Sequence, residues 1–590
     1  MSFQRQHLAL AGLAMLALVI TTAPPFYINL VTYIGLYSIV ALGLVLLTGV
    51  AGVTSLGQAA FVGIGAYATA TMTVMLGLSP WAGLLAALLL SGLCAFLLGL
   101  ITFRLSGHYL ALGTMAWGLG LFYIMGNIAA LGGHTGIPGV PQLPLAWLYA
   151  GAGRGYSALV WCVTLLLIVA TERILASRKG RAIRALKETE LMAQSTGVNT
   201  YMLKMQIFVL TGLAAGLSGW LYAHYIGFVN PTPFGIYFSI EYLFMAVLGG
   251  AGYVWGAVIG ATVITVLKHS LQDYLPMLLG RTGNFEIVVL GGILMFVLHR
   301  AKEGIAPFLA RFVKSETLQV PTHVVDTSPQ RSIRSEKAGN ILRVDNVTRR
   351  FGGLVAVNAL NFEMREGEIL GLIGPNGAGK STTFNLITNV LAPSSGHIHF
   401  RSQRLDGIGM QAVARLGITR SFQHVQIVHD MSVLENVALG GYLNGHNGLI
   451  QAALGTDRSA EQTALARAAR QIARVGLGDK MHDAAGSLAL GQQRLIEVAR
   501  ALMAEPALLL LDEPAAGLRH LEKQELAALL HQLRSEGISV LLVEHDMDFV
   551  MSLVDRLVVM NFGQKLAEGT PDEIRCNPDV IEAYLGAEDA

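Results

Sequence analysis

The sequence predicts a polytopic α-helical membrane domain fused to a cytoplasmic α/β domain with a phosphate-binding P-loop. Three observations predict it. Apolar runs dominate from Leu8 to about Leu298. Residues 374–381 read Gly-Pro-Asn-Gly-Ala-Gly-Lys-Ser. Between these two regions the chain turns polar, with Lys314-Ser-Glu-Thr and Ser328-Pro-Gln-Arg-Ser.

The totals agree with this division. A chain of 590 residues exceeds a single core. Only 14% of residues are charged, and the mean hydropathy of +0.53 is high for a soluble protein. A net charge of +2 is too balanced for a polyanion binder, and no nucleic-acid motif is present. Cys94, Cys162 and Cys576 are scattered, suggesting neither a disulfide framework nor a metal site.

The membrane half is expected over residues 1–310. A span needs about 20 apolar residues. Ten stretches qualify: 8–23, 26–49, 57–77, 82–103, 108–131, 157–177, 205–228, 237–253, 256–272 and 284–299. The pair 237–253 and 256–272 can also be read as one broken or re-entrant helix. The longest polar loop, 172–204, carries seven basic residues against three acidic ones, which puts it in the cytoplasm. Gly252, Gly256 and Gly260, and likewise Gly212 and Gly216, recur every four residues and suggest close helix crossings. Glu241 stands inside an apolar run. It is either an intramembrane functional carboxylate or a residue at the lipid boundary below the 230–233 loop.

Residues 311–340 read as a flexible tether, and 341–590 as an α/β domain. The glycine-rich loop at 374–381 follows the apolar stretch 368–373 and opens a helix near Lys380. Its backbone N–H groups can curl around phosphates, Lys380 can reach the β- and γ-phosphates, and Ser381 can ligate Mg²⁺. Downstream, Leu508-Leu-Leu-Leu511 ends in Asp512 and Glu513. Asp512 suits a water-mediated Mg²⁺ contact, and Glu513 suits the group that polarises the attacking water.

Between these motifs lies Ser487-Leu488-Ala489-Leu490-Gly491-Gln492-Gln493-Arg494, leading a helix over 495–503. This resembles the signature of ATP-binding cassette (ABC) transporters. The resemblance implies an ABC ATPase fold for 341–590 and a nucleotide held by Phe351, Gly374, Pro375, Asn376, Gly377, Ala378, Gly379, Lys380, Ser381 and Thr382. From a second domain it implies Leu488, Ala489, Gly491 and Gln492. Catalytic roles fall on Glu513, His545, Gln423 and Lys380. The Mg²⁺ ligands would be Ser381, Gln423 and Asp512. Two positions depart from the general pattern: Ala489 replaces the signature serine, and Arg519 stands where most members have aspartate.

Further stretches narrow the resemblance. Residues 43–67, 104–114 and 222–241 are similar to the permeases of branched-chain amino-acid ABC importers. Residues 351–358, 488–494, 512–518 and 582–586 are similar to the ATPase subunits of that branch, where alanine at the signature serine is common. Residues 180–197 then resemble a coupling segment that docks on the ATPase, within a coupling loop at 178–199. A solvated basic helix is the alternative.

The resemblance implies ATP and Mg²⁺ as cofactors and a multi-pass location in a bacterial inner membrane. ABC sites are composite, so a second permease and ATPase, or a second copy, is implied. A substrate-binding protein and a small-molecule solute complete the expectation. Urea or short-amide import, an exporter half-transporter and a membrane-tethered regulatory ATPase remain as alternatives.

Overall fold

A computed structural model of the chain describes residues 3–105, 107–145, 148, 150–279, 285–300, 304–310 and 339–585. The chain divides into two compact units. One comprises Met1–Leu175 with Tyr201–Thr317; the other comprises Ala176–Thr200 with Leu318–Ala590. The division places 176–200, which the sequence sets inside the membrane half, in the unit of the C-terminal domain. The tether expected at 311–340 lies outside the described residues apart from its last two.

In the first unit a helix occupies each of the ten apolar stretches, with differing length and burial. Among the described residues, five helices are long and apolar enough to cross a membrane: Pro25–Val50, Pro80–Thr102, Tyr109–Asn127, Gly153–Leu175 and Thr200–Ile226. The first is central, with 78% of its most apolar window buried. Pro80–Thr102 is peripheral at 28%, turning Leu85, Leu89, Leu93, Phe96 and Leu97 outward, as a lipid-facing surface requires.

Residues 236–279 form two helices, Ile236–Gly250 and Gly256–Leu279, joined by a short turn. The glycines explain how closely they cross. A Cβ on Gly249 would overlap the Gly256 carbonyl, and one on Gly260 would overlap the Met245 carbonyl. Gly252 differs from the sequence expectation: nothing lies within 4 Å of its Cβ position, because it sits in the turn. Gly216 does lie at a crossing, against Ser91 and Gly65. A two-stranded ribbon, β1 (Ile137–Pro138) with β2 (Phe228–Val229), ties two loops of this unit.

The second unit carries two sheets. The strands are β3 (Asn340–Phe351), β4 (Leu354–Arg365), β5 (Ile369–Ile373), β6 (Ser395–Phe400), β7 (Gln403–Arg404), β8 (Ile418–Arg420), β9 (Leu508–Asp512), β10 (Ser539–Val543), β11 (Arg556–Asn561) and β12 (Gln564–Gly569). One sheet has the order β12-β11-β5-β10-β9-β8; all its pairings are parallel except β11–β12. The other, β4-β3-β6-β7, is antiparallel. Every residue of β5, β9 and β10 is buried. Strands covered on both faces must be continuously apolar, which is why 508–511 reads as four leucines.

Candidate nucleotide site

In a parallel sheet the carboxyl ends of the strands open on one side, and loops there converge. Here four such ends supply the expected residues. The 374–381 loop follows β5, Gln423 follows β8, Glu513 follows β9 and His545 follows β10. A cavity of about 470 Å³ lies between them, lined by Asn376 to Thr382, Gln423, Glu513, His545 and, from the antiparallel sheet, Phe351.

The loop's shape depends on its glycines. Gly374, Gly377 and Gly379 have φ of +150°, +79° and +99°. A side chain at Gly379 would also press on the Ala356 carbonyl, 2.5 Å from its Cβ position. The helix Lys380–Ile387 starts directly after, with Gly379 as its left-handed N-cap. Lys380 is buried, and its Nζ donates to the carbonyls of Gly374 and Pro375 at 2.7 and 2.9 Å. Burial lowers its pKa, opposed by the negative charge of Glu513 and Asp512. Phe351 is 42% exposed, and the Arg349 guanidinium sits 4.7 Å from its ring centre.

The two acids after β9 have different surroundings. Asp512 is 1% exposed and its Oδ1 has no hydrogen-bond partner among the described residues. Burial pushes its carboxyl up to about 6; Arg420 opposes this and Glu513 adds to it. An orphaned buried oxygen beside the phosphate loop is the kind of donor a hard cation takes. Together with the Ser381 hydroxyl and the Gln423 side-chain oxygen it is a set of oxygens that would suit Mg²⁺. Glu513 has φ +51°, a left-handed conformation costing a non-glycine residue about 1–3 kcal/mol. That turn aims its carboxylate at Gln423 Nε2 (3.3 Å) and His545 Nε2 (3.1 Å). Fixed between an amide and an imidazole, it is placed to orient a water.

Four supporting residues escaped the sequence reading. Arg420 is buried and donates to Asn385 and Thr388, each at 2.9 Å, so it carries fixed positive charge under Asp512. Glu544 accepts from the N–H groups of Ala515 (2.6 Å) and His545 (3.1 Å), which fixes the loops after β9 and β10. Glu497 and Arg500 pair at 3.3 Å; burial raises the Glu497 carboxyl against the pull of Arg500. For Glu497 and Glu544 an acid set in or closing an apolar run was the available signal.

The signature residues lie on another face. Leu488, Ala489, Gly491 and Gln492 are not among the lining of the Lys380 cavity. The helix expected at 495–503 begins earlier, spanning Leu490–Leu502 with Ala489 as N-cap. That cap has no side-chain hydrogen bond, because alanine offers no oxygen. Arg519 caps the helix His520–Ser535, and its N–H donates to Glu522 at 2.8 Å.

The signature helix also reaches the basic segment. Arg494 donates to the Gln423 carbonyl at 3.2 Å. Arg500 donates to the Gln426 carbonyl at 2.6 Å and lies 3.1 Å from the sulfur of Met192. Residues 176–200 form two short helices, Arg178–Glu188 and Glu190–Ser195. They are not a solvated surface. Arg181, 2% exposed, pairs with Glu461, and Arg184 pairs with Glu435 at 2.7 Å. Arg178 donates to the carbonyls of Tyr442, Gly445 and Asn447. Gly197, at φ +85°, packs against Leu443.

Comparison with known proteins adds three family matches. Residues 26–298 match the branched-chain amino acid transport system permease component. Residues 357–516 match the ABC transporter family, and 564–590 the branched-chain amino acid ATP-binding cassette transporter family. The high-affinity branched-chain amino acid transport ATP-binding protein LivG of Salmonella typhimurium is 47% identical over 249 residues, which are 42% of this chain and 98% of that protein. BraF of Pseudomonas aeruginosa, described in the same words, is 44% identical over the same shares. Among solved structures, a nucleotide-free ATP-binding cassette from an ABC transporter is 31% identical. It covers 42% of this chain and 99% of its own, with a TM-score of 0.38.

Proposed function

We propose, from the premise that this chain belongs to the branched-chain amino acid ABC transporters with permease and ATPase in one polypeptide, that it drives import of branched-chain amino acids. ATP is the fuel, and its hydrolysis is coupled to transport. The observation that carries the coupling is the packing of 176–200 into the cassette unit. Glu513 touches Gln423, the Gln423 loop is held by Arg494 and Arg500, and Arg500 touches Met192. A shift of Gln423 therefore has a packed route to the segment that leads back into the membrane helices.

In this reading Lys380 and the 374–382 loop bind and orient ATP, Phe351 stacks on the base, and Ser381, Gln423 and Asp512 would hold Mg²⁺, which would supply neutralisation of phosphate charge. Glu513 takes the proton of the attacking water, and His545 holds the Glu513 carboxylate in place. Leu488, Ala489, Gly491 and Gln492 serve the site of a partner cassette. The transporter then needs a second permease and cassette, or a second copy, and a binding protein that delivers the solute. Import is favoured over export because 176–200 consists of helices of eleven and six residues, not long cytoplasmic extensions. The setting is a bacterial inner membrane with the cassette in the cytoplasm.

The test is flux direction. The chain, recovered with its stoichiometric partners, is reconstituted in vesicles with ATP on the cassette side. Movement of labelled leucine from the opposite side to the cassette side is expected; movement away from the cassettes makes the protein an exporter.

A further inference from the structure

Glu241 is 5% exposed, and its two carboxylate oxygens lie 3.1 and 3.0 Å from the Lys268 ammonium on the neighbouring helix. The ammonium also faces the rings of Tyr237 and Phe238, 5.4 and 5.1 Å from their centres. Glu241 and Lys268 both line a cavity of about 260 Å³ inside the first unit. That is just below the ~300–1,000 Å³ of drug-sized sites. Leu36, Val62 and Phe234 give it apolar wall. Thr265 also lines it, 3% exposed, with a hydroxyl that has no hydrogen-bond partner among the described residues.

An ion pair with Glu241 buried and Lys268 partly buried is seldom retained for stability alone, since an apolar pair of equal volume is often as stable. Within a membrane unit its cost is higher still. We propose that this cavity is a transit site for a zwitterion, in which the pair opens to take a solute ammonium on Glu241 and a solute carboxylate on Lys268. The exchange replaces one ion pair by two and leaves no charge unmatched. A solute with only one of the two charges leaves the buried Glu241 or the partly buried Lys268 unpaired, which costs affinity. The apolar wall receives an aliphatic side chain, and the Thr265 hydroxyl can bond either headgroup. The solute class, an α-amino acid with an apolar side chain, rests on the transport proposed above.

The test is equilibrium binding to the complex purified with its partners but without binding protein. L-leucine is compared with leucinamide, which lacks the carboxylate, and 4-methylpentanoate, which lacks the ammonium. The wild-type complex should prefer leucine to either analogue by at least about tenfold, equivalent to about 1.4 kcal/mol. Glu241→Gln should lose that preference over 4-methylpentanoate only, and Lys268→Gln that over leucinamide only. The exchange of Glu241→Lys with Lys268→Glu preserves the pair and should keep leucine binding within about threefold. Wild-type protein that fails to bind leucine saturably, or that binds the three ligands alike, overturns the site. So does a uniform loss of all three ligands in both single variants, which makes the pair a staple between helices. Uptake by vesicles is measured separately. If leucine is not carried while the reciprocal charge pattern persists, the cargo assignment falls and the zwitterion site stands.

Discussion

Glu513 and Glu241 are both acids held by a nitrogen about 3 Å away, yet they arise in opposite ways. Glu513 stands at the end of a buried strand, on a left-handed turn, among residues delivered by three other strand ends. Glu241 lies mid-helix and meets one lysine 27 positions further on. A site built from strand ends inherits backbone geometry, which dictates residue type at fixed spacing. A pair between two helices requires only complementary charge. Positions of the first kind resist any exchange; those of the second kind should tolerate a swap of both partners.

The sharpest break of that comparison is Glu513→Gln, expected to slow ATP hydrolysis by about 10²–10⁴-fold while ATP still binds. Phosphate release and nucleotide binding check it; undiminished turnover would remove Glu513 from the chemistry. Next comes the buried pair that docks the basic segment. Arg181→Met should destabilise the cassette unit by about 3–5 kcal/mol, because Glu461 is left unmatched. Arg181→Met with Glu461→Met should recover part of that loss in a thermal-unfolding cycle, and strict additivity would contradict it.

Gly197→Leu forces a left-handed leucine, costing about 1–3 kcal/mol, and drives its Cβ into Leu443. ATPase activity should persist while uptake falls; equal retention of both would show that the segment does not transmit. A subtler effect concerns Asp512. Its carboxyl, raised to about 6 from 3.8, is charged above pH 6 at a cost to the metal-free cassette. That cost fades as the pH falls from about 6 toward 3.8, so the metal-free protein gains stability there. Mg²⁺-dependent ATP affinity should fall roughly tenfold per pH unit below 6. Asp512→Asn should abolish the slope, and a wild-type profile flat to pH 5 would refute the raised pKa. The smallest effect expected is from Ala489→Ser, which restores an N-cap oxygen and should stabilise the signature helix by about 0.5–1 kcal/mol in thermal unfolding.

How much the sequence disclosed follows the same division. The P-loop, the leucine strand with its two acids and the signature each carry their own spacing, so the cassette fold and its phosphate cradle were legible. Arg420 was not, because nothing in Ile418-Thr-Arg marks a buried cation whose partners are 32 and 35 residues earlier. In the membrane unit the apolar stretches gave the helices, and Glu241 announced itself. Lys268 did not, since a lysine near the end of the apolar stretch 256–272 is ordinarily read as snorkelling to water, whereas the helix runs on to Leu279. The glycine rows were half informative: Gly256 and Gly260 lie at a crossing, whereas Gly252 continues their spacing into a turn. Periodicity records spacing along the chain and not where the helix stops.

The placement of 176–200 has a consequence for building chimeras. Because Arg178, Arg181 and Arg184 are matched to residues of the cassette, the natural seam for exchanging one cassette for another runs through this loop as well as through the tether. A donor cassette grafted at the tether alone would meet arginines selected for Glu435 and Glu461. One transplanted together with its own copy of these 25 residues would bring the basic residues matched to its acids, and its compatibility with the host would be decided at Leu175 and Tyr201.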